Sequence, residues 1–220
     1  MADETTPKDQ PKPPETKPAA EKPAATPPAA AAKPPAAKPA AAASAAPAKP
    51  AGPSPQPWES EMVANFKGRF GSGVREAKTY VGQNYIVVDA SVVYQVLQVL
   101  RDDEGFDYCV DITAVHYPKR DEQFDVVWIL YSFPRNERIR VKTLLKEGAS
   151  APSVASIWST ANWLEREVFD MFGIGFEGHP DLRRILLPDG WKGYPLRKYY
   201  PILQQDTEWV KINIGIESGQ

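Results

Sequence analysis

The chain has few of the side chains that bind metals or act as nucleophiles. Its 220 residues include one cysteine, Cys109, and two histidines, His116 and His179. A single cysteine excludes an internal disulfide, fits a reducing compartment and cannot hold an iron–sulfur cluster, which needs several thiolates. Two histidines without further ligands at metal spacing argue against a zinc site. We expect Cys109 and His116 to be packing residues of a strand.

The sequence also lacks a long apolar run. Segments such as 126–131 are far shorter than the roughly 20 apolar residues that a membrane-spanning helix needs. The first residues include Asp3 and Glu4 and no apolar stretch, so we expect neither a signal peptide nor a transit peptide. Any contact with a membrane is therefore expected to come through partner chains.

Residues 1–57 differ in composition from the rest of the chain. They contain 16 of the 23 prolines, and most of the other positions are alanine or lysine. Such a segment has too little apolar surface to fold, which predicts a low-complexity, disordered tail. The remaining residues carry 23 acidic and 19 basic side chains, a balance that argues against a nucleic-acid-binding surface.

Residues 58–173 have the pattern of one α+β domain. Apolar residues recur at helical spacing in some segments, and β-branched or aromatic residues dominate others. The predicted helices are 59–70 and 89–103, with a short helical region at 153–159, and the predicted strands are 74–81, 85–88, 107–117, 123–133 and 137–146. The last three strands should form an antiparallel meander, because their connections are short. We expect a mostly antiparallel sheet with helices on one side.

The strand at 137–146 alternates two kinds of side chain. The first set is Ile139, Val141, Thr143 and Leu145, and the second is Arg138, Arg140, Lys142 and Leu144. Successive side chains of a strand point to opposite faces, so this alternation predicts one buried and one wet face.

Residues 161–172 form the last predicted helix of the domain. Its apolar residues fall on one face, and Gly173 is suited to end it in a left-handed conformation. Its charges are not placed to stabilise it, because Arg166 precedes Asp170 in the weaker order and Asp170 lies near the negative end of the helix dipole. We therefore predict that groups outside the helix pair with these charges.

Residues 174–220, the C-terminal arm, show neither helical nor strand periodicity. Prolines interrupt the arm at 180, 188, 195 and 201. Its aromatic residues are Phe176, Trp191, Tyr194, Tyr199, Tyr200 and Trp209, with Arg183, Arg184, Arg197 and Lys198 between them. Disordered segments are poor in aromatics, whereas Trp, Tyr and Arg dominate interfaces. We predict an ordered, extended arm that lies on a partner or wraps its own domain.

The signature segment, residues 165–198, resembles the C subunit of respiratory complex I, the proton-pumping NADH:quinone oxidoreductase. The shared pattern is Glu-Arg-Glu at 165–167, an acid at Asp170, two bulky apolar residues, His179 and the basic Arg183. The match continues through the last residues of the segment. One position departs from the family, because Tyr199 stands where an acid usually follows Leu-Arg-Lys. Any salt bridge that this acid makes in the family is therefore in doubt.

This resemblance implies a non-catalytic structural and assembly subunit of the peripheral arm of that enzyme. Its neighbours would be the large subunit that helps to form the quinone site and the adjacent iron–sulfur subunits. FMN, iron–sulfur clusters and quinone would belong to those neighbours, and this chain would bind no cofactor. The implied location is peripheral, on the cytoplasmic side of the bacterial inner membrane. A related membrane-bound hydrogenase, whose equivalent subunit shares the signature, is an alternative.

We predict that the signature segment either contacts partner subunits or ties the C-terminal arm to its own domain. The predicted interface residues are Glu165, Arg166, Glu167, Asp170, His179, Arg183, Arg184, Trp191, Arg197 and Lys198. Among them, Arg183 and Arg184 are the best candidates for two-pronged hydrogen bonding to a carboxylate. No residue is predicted to be catalytic or to bind a metal.

Two other functions remain open on the sequence alone. A stand-alone enzyme could use Glu167, Asp170 and His179 as acid and base, provided that these groups meet in one pocket. A nucleic-acid binder could use the arginines and aromatics of the arm, although the acidic net charge argues against it.

Overall fold

A six-stranded sheet with helices on one face organises residues 52–201 and 207–215, the part of the chain that the computed structural model describes. The α+β fold and the mostly antiparallel sheet predicted from the sequence are confirmed. Most of the predicted tail, residues 1–51, lies outside the described residues. The proposed limits at 1–57, 58–173 and 174–220 therefore stay predictions.

Eight strands, four α-helices and a short 3₁₀ helix at Gly71–Gly73 occur in the described residues. The strands are β1 Gln56–Pro57, β2 Val74–Tyr80, β3 Gln83–Val88, β4 Tyr108–His116, β5 Phe124–Ser132, β6 Glu137–Leu145, β7 Ser150–Pro152 and β8 Gly175–Glu177. The helices are α1 Glu61–Phe70, α2 Val93–Asp102, α3 Ala161–Phe172 and α4 Thr207–Ile214. The large sheet has the order β1-β2-β3-β6-β5-β4, and β7 pairs with β8 in a second sheet.

The pairing of the large sheet is mixed. Strands β4, β5 and β6 form the predicted antiparallel meander. Strand β3 pairs with β6 in parallel, a relationship that the sequence did not predict. A parallel pair needs a long crossover connection, and here α2, β4 and β5 supply it.

The hydrophobic core lies on one face of the large sheet. Helices α1, α2 and α3 pack their apolar residues against alternate side chains of β3 to β6, as predicted. Every second residue of β6, from Ile139 to Leu145, is buried, and the intervening residues from Arg138 to Leu144 are at least partly exposed. The predicted wet face of β6 is confirmed, and none of the three core-forming helices covers it.

The predicted helices need correction at three places. Helix α1 begins at Glu61 rather than at position 59, and Ser60 caps it. Helix α2 begins at Val93 rather than at position 89, because the N–H of Asp89 still donates to Gly73 O at 2.8 Å in the sheet. The predicted helical region at 153–159 is wrong, because these residues form turns. Within them, the Val154 carbonyl accepts the N–H groups of Ile157 and Trp158.

The C-terminal arm is not the extended segment that the sequence predicted. It contains β8, which pairs in parallel with β7, and the two-turn helix α4. Residues 202–206 and 216–220 of the arm lie outside the described residues. Between β8 and position 201, the arm is held to its own domain by the contacts described next.

Candidate functional site

Three charged side chains of α3 are buried rather than solvated. Glu165 and Asp170 are fully buried, and Arg166 is 8% exposed. Burying a charge is costly unless it is paired or hydrogen-bonded, so each of these groups needs nearby partners. All their hydrogen-bond partners lie outside α3, which confirms the prediction made for this helix.

Asp170 binds the backbone of the C-terminal arm. Its Oδ2 atom accepts the N–H groups of Ile185, Leu186 and Leu187 at 3.0, 2.8 and 2.9 Å. Its Oδ1 atom accepts Nη1 of Arg184 at 2.8 Å. Burial works to raise the pKa of Asp170, but these four donors outweigh it and hold the pKa below its ordinary value. Asp170 is therefore an ionised anchor for the arm.

Arg166 holds the preceding residues of the same backbone. Its Nε and Nη2 atoms donate to the carbonyls of Arg183 and Arg184 at 3.1 and 3.3 Å. The guanidinium also lies 5.0 Å from the ring centre of Trp163, a cation–π contact. One turn of α3 thus binds carbonyls through Arg166 and N–H groups through Asp170, and so fixes residues 183–187.

Glu165 ties α3 to the turns before it. Its carboxylate accepts Ser153 Oγ and the Val154 N–H, both at 2.6 Å. Burial raises the pKa of Glu165 to about 7, although these two hydrogen bonds partly oppose the effect. The buried Nε2 atom of His179 lies 3.9 Å from Glu165 Oε2.

His179 holds the turn that follows β8. Its Nε2 atom is 3.0 Å from the carbonyl oxygen of Asn162, which can only accept, so Nε2 carries the proton. Its Nδ1 atom accepts the N–H of Asp181 at 3.0 Å. Both ring nitrogens are thus used as in a neutral imidazole, which positions the arm at residues 179–181.

Arg197 holds the arm against the end of α3. Its Nε donates to the Phe172 carbonyl at 2.6 Å, and its Nη1 donates to Glu147 Oε1 at 2.7 Å and to the Tyr199 hydroxyl. The guanidinium lies over the Tyr194 ring, 4.7 Å from its centre. Burial works to lower the pKa of Arg197, but its hydrogen bonds to Tyr199 and Glu147 keep the pKa above its ordinary value.

His116 accepts the next backbone N–H of the arm. Its Nδ1 atom lies 2.9 Å from the nitrogen of Lys198, and its ring stacks on Phe124. The ring edge of Tyr199 completes the contact, with ring centres 5.1 Å apart. His116 is buried, so the structural role expected from the sequence is confirmed.

The arm also approaches the end of α3 closely. Gly173 ends this helix with φ +73°, the left-handed conformation predicted for it. A Cβ atom at this position would lie 2.5 Å from ring atoms of Tyr194. The Leu196 N–H donates to the Met171 carbonyl at 3.2 Å. Glycine is therefore required here by its backbone conformation and by the space available.

Other predicted interface residues take less part in this anchoring. Glu167 and Lys198 have exposed side chains, and Arg183 pairs only with Asp181, at 2.9 Å, among the described residues. Trp191 lies against Trp209 of α4. Within the described residues, Arg183 bonds Asp181 through Nε and Arg184 bonds Asp170 through Nη1, so two-pronged pairing of either arginine with a carboxylate stays a prediction.

Sequence reasoning missed several residues that complete the site. Ser153, Glu147 and His116 contact the arm or α3 from elsewhere in the chain, and Tyr194 of the arm lies against Gly173 at the end of α3. The hydrogen-bonded pairs of Ser153 and His116 lie 12 and 82 positions apart in sequence. Contacts across such separations leave no local pattern from which they could have been predicted.

The three residues suggested for acid–base chemistry have different surroundings. No hydrogen bond or ion pair joins Glu167, Asp170 and His179 to one another in the described part of the chain. Asp170 is saturated by its four donors, while Glu167 faces solvent. The stand-alone enzyme suggested as an alternative therefore has no support from this geometry.

The donor groups also do not fit an iron–sulfur cluster or a metal. Within residues 52–201 and 207–215, no group of three or more His, Cys, Asp or Glu could hold a metal ion. Burial and, to a lesser degree, the charge of Asp111 raise the pKa of the single cysteine, Cys109, to about 12. The thiol is thus protonated and buried, whereas a cluster requires thiolates.

Two further features of the described residues bear on function. A surface cleft of about 770 Å³ lies near Trp58, Asp103 and Arg135, and contains none of the predicted interface residues. None of the helices described is both long and apolar enough to cross a membrane.

Comparison with known proteins gives a consistent result. The family described as "Respiratory-chain NADH dehydrogenase, 30 Kd subunit" matches residues 86–206. This range includes β4 to β6, α3 and all the anchoring residues of the arm.

Three curated relatives illustrate the similarity, and each is named as the C subunit of an NADH-quinone oxidoreductase. The protein of Hyphomonas neptunium is 43% identical over 145 residues, which are 65% of this chain and 72% of that one. The Citrifermentans bemidjiense protein is 43% identical over 153 residues, covering 69% and 95%. The Parvibaculum lavamentivorans protein is 49% identical over 145 residues, covering 65% and 72%.

A solved structure shares the fold. It is a chain of the membrane-bound sulfane sulfur reductase, described as an archaeal respiratory membrane complex. The TM-score is 0.58 at 26% identity, and the match covers 71% of this chain and 91% of that chain.

Proposed function

Because this chain belongs to the respiratory-chain NADH dehydrogenase 30 Kd subunit family, we propose that it is a structural and assembly subunit of NADH:quinone oxidoreductase. It lies in the peripheral arm and carries no catalytic centre. Electrons pass from NADH through FMN and iron–sulfur clusters to quinone in neighbouring chains, and this transfer is coupled to proton translocation. The chain is attached through its partners to the cytoplasmic side of the inner membrane.

The main support for this proposal is that charged residues of the signature segment bind the backbone of the arm. Its buried ions, Arg166 and Asp170, are hydrogen-bonded to backbone groups of residues 183–187. A catalytic acid or base must be available to a substrate, whereas these groups are occupied in shaping the surface of the protein. The segment therefore supports a scaffold better than it supports an enzyme.

We assign the partner interface to the exposed residues that this scaffold presents. Trp163 is 61% exposed and Leu186 is 59% exposed, although both are large apolar residues. Glu167, one turn after Trp163 on α3, is also exposed, as is Lys198 of the arm. Exposed Trp and apolar residues beside charged ones are typical of interface hot spots. The partner proposed for this surface is the large subunit that helps to form the quinone site, with iron–sulfur subunits nearby.

Affinity purification of the tagged full-length chain from gently solubilised membranes tests the proposal. Identification of the co-purifying chains should show the flavin, iron–sulfur and quinone-site subunits of the oxidoreductase. The chain purified alone should show no flavin or iron–sulfur absorbance and no NADH oxidation. NADH oxidation by the isolated chain, or the absence of oxidoreductase subunits from the purified complex, would overturn the proposal.

The interface residues can be tested separately from the anchoring residues. We expect Lys198→Glu to reduce recovery of the large subunit without destabilising the isolated chain, because its side chain is exposed. Arg184→Glu should reduce recovery through loss of folding, because Arg184 is bound to buried Asp170. Thermal unfolding of the two purified variants distinguishes the two causes. Normal recovery with Lys198→Glu would remove this residue from the interface.

A subunit of another respiratory membrane complex is the second candidate. The fold is similar to a chain of the archaeal sulfane sulfur reductase, and a related membrane-bound hydrogenase was the alternative suggested by the resemblance. The identities of 43 to 49% to oxidoreductase subunits favour the first candidate. A hydrogenase or sulfur reductase large subunit among the co-purifying chains would decide for the second.

A further inference from the structure

We propose that the face of the large sheet opposite the core is a second docking surface, and that it binds a helix of a neighbouring subunit with carboxylates on its contacting side. We call it the basic face. It is separate from the surface around Trp163, and the inference rests on the proposed function in requiring that the chain works inside an assembly.

The basic face has three cations along its central strand. Arg138, Arg140 and Lys142 alternate with buried residues of β6 and so project from the same side of the sheet. Apolar and aromatic residues of the two neighbouring strands lie in register with these cations, one set on each side. On β5 these are Tyr131, Ile129 and Val127, and on β3 they are Tyr85 and Val87.

The three cations have no carboxylate partner in the described residues. Arg140 donates to the Gln83 side chain, and Lys142 lies over the Tyr85 ring, 4.7 Å from its centre. Arg138 is exposed, and its side chain forms no hydrogen bond or ion pair within that part of the chain. By contrast, many basic residues elsewhere in the domain, such as Arg75, are ion-paired.

The carboxylates on this face are paired elsewhere or too far away to neutralise this row. Asp125 of β5, diagonal to Lys142, is ion-paired with Arg120. Two other acids are in register with the cations but two strands away: Asp111 of β4 lies beyond Ile129 from Arg140, and Glu76 of β2, which pairs with Lys78, lies beyond Val87 from Lys142. Adjacent strands are about 4.8 Å apart, so two strand spacings separate their backbones by roughly 10 Å. The folded part of the chain is acidic, with 23 acidic and 19 basic residues beyond position 57. A row of cations on such a protein favours an acidic partner.

The flanking apolar and aromatic residues indicate that this partner is a protein. Val87 and Val127 are only 7% exposed, although no core-forming helix lies over them. Because they are recessed among longer side chains, a closely packed partner can reach them more readily than a lipid surface can. A sheet face of this kind is usually covered by helices.

The spacing of the cations specifies the partner further. Every second residue of a strand is about 6.6 Å further along, which is the separation between neighbouring cations of β6. Residues four apart on a helix rise by about 6 Å on one face. A helix lying along β6 with Asp or Glu at i, i+4 and i+8 therefore matches the three cations.

Zero-length cross-linking of the intact, gently solubilised complex tests the identity of the partner. A carbodiimide joins a lysine amine to a carboxylate only where the two are in contact. We expect Lys142 to be joined to an Asp or Glu in a helical segment of another subunit, identified by peptide mass spectrometry. Lys142→Arg should abolish this product while leaving assembly intact. A product only with this chain itself, or with a second copy, would overturn the proposal, as would the absence of any Lys142 product.

Charge reversal tests whether the basic face contributes to assembly. Arg138→Glu combined with Arg140→Glu should lower recovery of the cross-linked subunit at least tenfold. The melting temperature of the isolated variant should stay near that of the wild type, because neither arginine forms an ion pair within the described residues. Lys67→Glu, at an exposed position of α1, is the matched control and should leave recovery unchanged.

The outcomes separate this inference from the proposed function. Normal recovery of the cross-linked subunit by the double variant would overturn only the inference about the basic face. If the wild-type chain recovered no oxidoreductase subunit, both that inference and the proposed function would be overturned. Binding to vesicles of anionic phosphatidylglycerol provides the lipid alternative. If the wild type binds these vesicles, the double variant does not, and no protein cross-link forms, the face is a membrane contact and the proposal is wrong.

Discussion

The Oδ2 atom of Asp170 lies 2.8 Å from the backbone nitrogen of Leu186, and it also accepts the N–H groups of the residues on either side. A single carboxylate oxygen thus replaces the hydrogen bonds that a sheet or helix would give this tripeptide. The arm can therefore be fixed in place here without regular secondary structure. Burying the charge of Asp170 is unfavourable, and its hydrogen bonds offset this only while all four donors are present.

Asp170→Asn tests this anchor directly. The amide group of asparagine carries no charge and brings two N–H donors to a place where only acceptors fit. We expect the free energy of unfolding to fall by about 3 kcal/mol, the range found when one partner of a buried ion pair is removed. Denaturant unfolding measures this change, and amide hydrogen exchange at residues 185–187 should become faster.

Glu167→Gln is the matched control for this substitution. It neutralises an exposed acid one turn earlier on the same helix. Surface changes of this kind usually alter stability by less than about 0.5 kcal/mol. Equal effects of the two substitutions would show that the Asp170 contacts do not hold the arm.

The sequence was a good guide wherever structure depends on neighbouring residues. The meander from β4 to β6 was predicted because alternation and short turns are local patterns. The same is true of the end of α3, since Gly173 alone indicates a left-handed residue. The pairing of Arg166 and Asp170 with groups outside the helix was predicted because their order opposes the helix dipole.

Contacts between distant positions could not be predicted in this way. Arg197 meets Glu147 fifty positions away, and nothing near either residue indicates the other. The parallel pairing of β3 with β6 depends on where the whole meander returns. The turns at 153–159 were predicted as helix because the role of Glu165 as their hydrogen-bond acceptor is visible only in the fold.

Glu165→Gln should change how stability depends on pH. The pKa of Glu165 is about 7 in the folded chain and near its ordinary value of 4.5 when unfolded, so the folded state holds the proton more tightly. The stabilisation that comes from this tighter proton binding is fully present below pH 4.5. It declines as the pH rises and is lost above about pH 7. A shift of this size corresponds to something on the order of 3 kcal/mol. Glutamine can keep both hydrogen bonds without titrating.

Urea unfolding between pH 4.5 and 8.5 measures this effect as a difference between the two proteins. We expect the variant to be the more stable protein at pH 8 and to lose that advantage towards pH 4.5. Glu167→Gln should instead follow the wild type at every pH. A constant difference between Glu165→Gln and the wild type would mean that Glu165 does not titrate in this range.

Tyr199 and Glu147 share the guanidinium of Arg197. Both side chains accept a hydrogen bond from Nη1 of Arg197. We expect Glu147→Gln to destabilise the wild type by roughly 1 kcal/mol, because half of this carboxylate is exposed and the pair is partly screened. In a Tyr199→Asp background, the new aspartate should accept the hydrogen bond from Arg197. Glu147→Gln should then have little effect on stability.

A double-mutant cycle by thermal unfolding measures this coupling between positions 147 and 199. Glu137→Gln provides the control, because this acid contacts Asn84 and not Arg197. Additive effects of the two substitutions would show that Tyr199 and Glu147 act independently.

Gly173→Ala tests the close approach of the arm to the end of α3. Two effects should make alanine unfavourable at this position. They are the left-handed backbone conformation, at φ +73°, and the contact of the alanine Cβ with the Tyr194 ring at 2.5 Å. Gly148 isolates the first effect, because its φ is +77° and no atom lies within 4 Å of a Cβ placed on it. We expect Gly148→Ala to cost about 1–2 kcal/mol, the usual penalty of a left-handed residue.

Gly173→Ala should cost at least about 1 kcal/mol more than Gly148→Ala, because the Tyr194 ring must move and its contacts with Arg184 and Arg197 weaken. The excess should disappear when both substitutions are repeated in a Tyr194→Ala background, where the space above Gly173 is open. Denaturant unfolding of the six proteins gives both differences. Equal costs in the original background would mean that Tyr194 does not pack over Gly173 in solution, and that this part of the arm is not held against α3.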